Sequence, residues 1–511
     1  MKKIRNTFFF IGAAMIALVS CQKDFVDITP KGQFLTPTYY QDATQAYAAL
    51  VGVYDILRKN SGGFENMVTM MNAGSDDQYA GGGGPTDGAG IQGFSNFSIT
   101  QLTIPGSFWN DYYRGIFNAD MLLLRLPDIK MDDALKARFT AETKAVRAFC
   151  YFDLVRMFKN VPLILDPLTF DNMYDVVQAK PEDVYAQIEK DLTEAIAVLP
   201  STIPTDALPT EAGRFIKGSA QALLGKVYLY EGKNAQAAAM LAEVNGTPGG
   251  TSQYGYKLLP NFNDLWVVGN KFNSESIIEV SHTNVGLSGW GNWGSGSDEG
   301  NSICVMVGPR GYAKVTGAPD LPSGWSFNVF TPEFYNIIKD DPRVSATVFD
   351  IHPYEAIAVA QDPPAHAYIP GYMDTGYFLK KFMPTQADVT TLGGDAVLNY
   401  KQDSYIIRLA DTYLMEAEAL GATGTRAQQL LDAVRARVGL SSVPVSLDAI
   451  KAERRIELAG EGHRFFDLVR WGDAASKLAD RGFTPNKNEI FPIPNAELLG
   501  TKLVQNNGYI Q

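Results

Sequence analysis

The stretch IKGSAQALLGKVYLYE, residues 216–231, restricts the fold more than any other part of the chain. Ile216, Ala220, Leu223, Leu224, Val227 and Tyr228 recur at three- and four-residue steps, which is the spacing of one apolar helix face. GKN then turns the chain, and AQAAAMLAEV supplies a second short helix. Gly225 and Ala237 are small where the two helices meet, so antiparallel backbones can approach closely. Tyr228 and Leu241 fill the space beside them. A hairpin of this kind cannot bury its apolar face alone and calls for neighbours of the same kind.

Leu224, Gly225, Tyr228, Ala237 and Leu241 fall at the offsets of a tetratricopeptide repeat. The pattern returns in IRLADTYLMEAEAL (407–420), answered by Ala427, Leu431 and Val434. Ala148 and Tyr151 repeat the first-helix spacing, answered distantly by residues 183–199, and Leu50 and Tyr54 mark a fourth candidate. The expected fold is therefore mainly α, a tetratricopeptide-like helix-pair scaffold whose repeats are not tandem. Between them lie insertions, 72–104 and 286–400, rich in glycine and aromatic residues. Loops longer than about 12–15 residues inside a compact domain usually carry function or disorder.

The amino terminus reads as a leader. Lys2, Lys3 and Arg5 precede an apolar run from Phe8 to Val19, shorter than the roughly 18 residues a spanning helix needs and of secretory-signal type. Leu18-Val19-Ser20-Cys21 resembles a lipobox, which implies cleavage before Cys21 and acylation of that cysteine. One acyl chain holds a protein only marginally to a membrane, so several on one cysteine would make a lasting anchor. Residues 1–20 are thus expected to be a signal peptide and 21–511 a lipid-anchored domain.

Composition removes several classes of function. The formal charge is −12, and losing Lys2, Lys3 and Arg5 with the leader takes it to −15. With no basic stripe to offset it, that surface repels phosphate backbones, and a nucleic-acid partner is not expected. Cys150 and Cys304 are too few for a disulfide-stapled fold, and Cys150 sits in an apolar helical pattern as a buried thiol. His282, His352, His366 and His463 form no metal-spaced pair, and no P-loop, dinucleotide fingerprint or nucleophile elbow is present. No cofactor is expected. The runs GSDD (74–77) and GSDEGNS (296–302) offer oxygens for at most an incidental structural calcium, without an EF-hand loop.

Several motifs occur together and in order: DFVDITP (24–30), FWNDYYRGIFNAD (108–120), AVRAFCYFDLVRMFKNVPLI (145–164), ALLGKVYLYEGKNAQA (222–237), TGYFLKKF (375–382), RLADTYLMEAEAL (408–420), AERRIELAGEGHRFFDLVRWG (452–472), FPIP (491–494) and NNGY (506–509). Over essentially its whole length the chain resembles the SusD/RagB family of surface nutrient-binding lipoproteins. The resemblance implies four tetratricopeptide-like helix pairs supporting an irregular, loop-rich ligand-binding face. It also implies a lipid-anchored, cell-surface place at the outer membrane. The partner it implies is a SusC-like TonB-dependent transporter, for which such a protein acts as lid and oligosaccharide carrier, without catalysis. A peptide-binding relative or a protein-interaction scaffold is the alternative. A glycoside hydrolase is the last choice, because it needs two carboxylates roughly 5–9 Å apart across the bond. Asp76–Asp77 and Asp298–Glu299 are sequence neighbours, which point to opposite faces of an extended segment.

Within the 461–471 motif, Glu461–Arg464 and Asp467–Arg470 are i,i+3 pairs on a helix, over an apolar stripe of Phe465, Leu468 and Val469. A structural role is expected there. A sugar ring instead calls for flat aromatic surfaces and a few polar groups. Trp290 and Trp293, in a loop with few apolar neighbours, are the first candidates, followed by Tyr79, Tyr312 and Trp325. Trp325 precedes a helix expected to begin at about Thr331 and has a structural reading as well. Asn72, Asp76, Asp77 and Arg310 are the polar candidates.

Overall fold

The structure is a computed structural model and describes residues 39–169 and 171–509. The leader, the lipobox and Cys21 lie outside the described residues.

Helix α1 (Ala43–Tyr54) starts where the Asp42 carboxylate accepts the Gln45 N–H at 3.0 Å, a side-chain N-cap. A short helix, α2 (Met67–Ala73), follows. The long helices come next: α3 (Ser107–Arg125), α4 (Asp133–Phe158) and α5 (Pro181–Val198), then α6 (Lys217–Tyr230) and α7 (Asn234–Asn245). Near the carboxyl end lie α8 (Leu409–Ala419), α9 (Gly424–Arg437), α10 (Leu447–Glu457) and α11 (Arg464–Arg470).

Four pairs form the scaffold: α1 with α3, α4 with α5, α6 with α7, and α8 with α9. The α6–α7 crossing is the one the sequence specifies. A Cβ at Gly225 would lie 2.6 Å from Leu241 Cγ, and Ala237 and Leu241 are fully buried. One large apolar core runs through all four pairs, with Cys150 buried and unpaired inside it. Among the described residues no helix is long and apolar enough to cross a membrane.

The insertions hold more regular structure than their glycine content suggests. The region after 286 contains the helices Ile303–Val307, Pro332–Ile338 and His352–Val359. Thr331 caps the second by accepting the Phe334 N–H at 3.1 Å, where the sequence placed a helix start. Among the described residues two antiparallel strand pairs complete the fold. β1 (Ser276–Val280) pairs with β4 (Ser404–Arg408), and β2 (Val348–Asp350) with β3 (Tyr377–Leu379).

Charged side chains lock the 341–470 region to itself and to Glu275 and Asp76. Arg408, fully buried, donates to Glu275, Glu457 and Glu461, at 2.9, 2.6 and 2.8 Å. Arg343, also fully buried, joins Asp341, Glu453 and Glu457. The expected Glu461–Arg464 pair is not made. Glu461 precedes α11 and turns inward onto Arg408 and Lys381, whereas Arg464 reaches across to Asp76. The Asp467–Arg470 pair forms at 3.0 Å, and Phe465 and Leu468 are buried beneath it.

Candidate functional site

Three tryptophans meet on one open face. Trp290 is 56% exposed, and its ring lies nearly parallel to that of Trp325, at 22° with centroids 6.0 Å apart. Trp293 meets both edge-on, at 5.5 and 5.7 Å. It is half-buried, and its indole N–H donates to Ser302 Oγ at 2.8 Å, so the ring is fixed from behind. Phe64 supports Trp293 at 5.9 Å and Phe327 at 5.2 Å, both edge-to-face.

Separate pieces of backbone hold this cluster. Trp325 N–H donates to Val305 O and Phe327 N–H to Met306 O, a pairing that depends on Gly308 and Gly324. A Cβ at Gly324 would lie 2.4 Å from Gly308 Cα. The 72–97 insertion joins the same segment, with Gly82 N–H donating to Ser326 O and Asn328 N–H to Ala80 O. The 286–302 loop is tied down by Arg58, whose guanidinium donates to Gly294 O at 2.8 Å. At its stem the His282 ring bridges Ser61 Oγ and Glu299 O.

The polar candidates fare differently. Arg310 is half-exposed beside this face, 3.9 Å from Asp87, with its backbone N–H on Ser326 Oγ. Asn72, Asp76 and Asp77 are not placed to meet a ligand. Asn72 is buried in α2, where it donates to Gly460 O and accepts from Gly462 N–H. Asp76 and Asp77 are clamped by Arg455 and Arg464. Burial pushes the Asp76 carboxyl up, but the two guanidiniums outweigh it and hold it below the ordinary value. Burial and the neighbouring Asp76 hold Asp77 above it. Their carboxylates were legible as acidic but not as partners of arginines some 380 positions away, and no local signal marks that pairing.

Tyr79 and Tyr312 belong to a separate aromatic cluster with Val329, Phe349 and Phe378. The Arg481 guanidinium covers the Tyr79 ring at 4.4 Å, and the Tyr312 hydroxyl donates to Pro319 O. The oxygens considered for calcium are also engaged: Asp76 and Asp77 by arginines, and Asp298 by the Gly294 N–H. Among the described residues no group of three or more acidic, histidine or cysteine side chains is placed to hold a metal ion.

A volume of about 370 Å³ lies away from the tryptophans, against α3, lined by Trp109, Tyr113, Phe117, Leu168 and Met173. Another of about 540 Å³ lies behind the tryptophan loop, between Tyr47, Arg58, Arg214 and Glu299. The tryptophans themselves form an open aromatic platform, a surface suited to the C–H face of a sugar ring or another flat apolar group.

Fold and face define a helix-pair scaffold that displays an aromatic platform on its inserted loops. Two family models match the chain, one described as the SusD family over residues 336–509, the other as starch-binding associating with outer membrane over 92–229. A solved structure of a laminarin-binding SusD-like protein is 63% identical, covers 92% of this chain and 100% of its own, and superposes with a TM-score of 0.89. Surface glycan-binding protein A from Bacteroides thetaiotaomicron, solved with laminarihexaose, is 25% identical over 91% of this chain and 100% of its own, with a TM-score of 0.80. SusD-like protein P25 of Formosa agariphila is 25% identical over 99% of this chain and all of its own. The chain belongs to the SusD family.

Proposed function

We propose that the protein is a cell-surface glycan-binding lipoprotein that captures laminarin-type glucan oligosaccharides on the Trp290–Trp293–Trp325 platform. The observation that carries this reading is the joining of three tryptophans, from two segments, on one exposed face. The reading is supported by the laminarin-binding relative at 63% identity. Neutral sugars suit the site chemically, because stacking on indole needs no ligand charge and the chain is acidic overall.

In this reading Cys21 carries the lipid anchor at the outer membrane, and the captured glycan passes to a SusC-like TonB-dependent transporter for which the protein is the lid. No bond is broken. Calorimetry of the soluble chain with laminarihexaose, with reducing-sugar release followed in the same samples, tests it. Binding without release is expected, with at least a tenfold loss in Trp290→Ala. Release of sugar by the pure protein, or no binding to any laminarin oligosaccharide, would sink it. The delivery step predicts that the acylated protein co-purifies from outer membranes with a TonB-dependent barrel, and its recovery alone would count against that step.

A further inference from the structure

Trp290 is the most exposed of the three tryptophans, yet it sits in a run of glycines that cannot hold it by packing. What holds it comes from a segment a hundred residues away. Asn399 is fully buried and directs its amide at the backbone of Ser288. Its Oδ1 accepts the Ser288 N–H at 2.9 Å, and its Nδ2 donates to Ser288 O at 2.8 Å. The side chain therefore pairs with Ser288 as a neighbouring β-strand would. The same Nδ2 also donates to Asp395 O at 2.9 Å, which fixes the 395–399 turn to the same point. Asp395 then acts twice: its N–H donates to Ser288 O, and its Oδ2 accepts the Trp290 N–H at 3.1 Å. Glycine is required at the contact, since a Cβ at Gly394 would lie 2.7 Å from Ser288 O.

We propose that Asn399 and Asp395 are positioning residues for the glycan platform, holding the Ser288–Trp290 backbone so that the Trp290 ring is presented parallel to Trp325. Both residues bond to the backbone of the loop. They act through Trp290, and their effect on ligand depends on the glycan reading of the platform given above. A buried amide that both donates and accepts cannot be replaced by an acid of the same shape. In Asn399→Asp the donor to Ser288 O and Asp395 O is lost, and oxygen faces oxygen. Asp395→Asn keeps an acceptor for the Trp290 N–H, whereas Asp395→Ala removes it.

The test is a double-mutant cycle on the full soluble chain, with laminarihexaose as probe. Asn399→Asp is expected to weaken binding by about tenfold in the wild-type background and to have no further effect in Trp290→Ala. Asp395→Ala should weaken binding and Asp395→Asn should restore most of it. A residue that merely supports the fold would lower affinity equally in both backgrounds, and that result would overturn the proposal. A second readout needs no ligand. The three indoles, with centroids 5.5, 5.7 and 6.0 Å apart, couple as excitons in circular dichroism. Asn399→Asp should change that couplet in the folded protein as Trp290→Ala does, leaving the Trp293–Trp325 contribution. An unchanged couplet would also overturn it. Where the wild type binds no laminarihexaose, the glycan reading fails by itself and the couplet alone decides the positioning role.

Discussion

The 341–470 core and the tryptophan platform lie in one chain but are held by opposite means. In the core, charge is buried and paired: Arg343 and Arg408 are wholly inside, and the carboxylates of Glu275, Glu453, Glu457 and Glu461 surround them. The platform is apolar and half-exposed, and its geometry depends on ring contacts and a few hydrogen bonds from separate loops. Removing one member of a buried ion cluster is costly, because every charge it faced loses compensation that water cannot replace. A stacked face can lose a ring and leave the fold intact. The difference separates stability from recognition: the core should respond in folding and the platform in binding.

The largest effect is expected in the core. Arg408→Met removes the cation shared by three buried carboxylates, leaving Lys381 on Glu461, Arg343 on Glu457 and Arg437 on Glu275 and Glu457, and breaking such a cluster costs about 3–5 kcal/mol. Urea denaturation should show that loss or an unfolded product, and a variant as stable as wild type would break the contrast. Next in size is Gly225→Val. A side chain there meets Leu241 at 2.6 Å and should cost about 1–3 kcal/mol by overpacking the α6–α7 crossing, measured in the same way.

That crossing also marks how far the sequence could be read. The α6–α7 and α8–α9 pairs were legible because helical periodicity and small residues at fixed offsets are local signals. The pairing of α1 with α3 was not, because α2 and the first insertion separate the two helices. At the site, Trp290 and Trp293 were legible as aromatics with few apolar neighbours in sequence, but that Trp293 is half-buried on Phe64 and bonded to Ser302 was not. Trp325 was ambiguous because its segment also leads into a helix, and both its ring neighbours and its backbone partner, Val305, come from elsewhere. Asn399 and Asp395 left no trace, since a buried asparagine looks like any loop asparagine until its partner backbone is known. Asp76 and Asp77 misled for the same reason: an acidic pair in a glycine-rich loop resembles a polar ligand set until Arg455 and Arg464 are seen across the fold.

Between core and platform lies a junction that should respond to pH. Glu279 on β1 is buried, accepts the Phe272 N–H at 3.0 Å and lies near Asp403, which binds Lys271 and the His282 N–H at the stem of the tryptophan loop. Burial, with Asp403 adding to it, pushes the Glu279 carboxyl up to about 8 from its ordinary 4.5. A carboxyl with a raised folded-state pKa contributes stability that is complete below 4.5 and is lost as pH rises towards 8, because only the unfolded chain releases the proton in that window. Glu279→Gln keeps an acceptor for the Phe272 N–H and removes the titration. Relative to it, the wild type should lose at most about 1.4 kcal/mol per pH unit across that window. Parallel stability-versus-pH curves for the two proteins would contradict the assignment.

The smallest effect on stability is expected where the effect on ligand is largest. Trp290 is more than half exposed, so truncating it removes little buried area, and a surface change of this kind shifts stability by about 0.5 kcal/mol or less. Trp293 differs: its indole is half-buried, bonded to Ser302 and packed on Phe64, so Trp293→Ala should cost about 1–3 kcal/mol as well as affinity. The two neighbours therefore separate recognition from support within three residues of sequence. Thermal melts and laminarihexaose titrations on both variants would show it. Equal stability losses would mean that Trp290 is part of the core. A Trp290→Ala protein with unchanged affinity would move the binding surface away from this face.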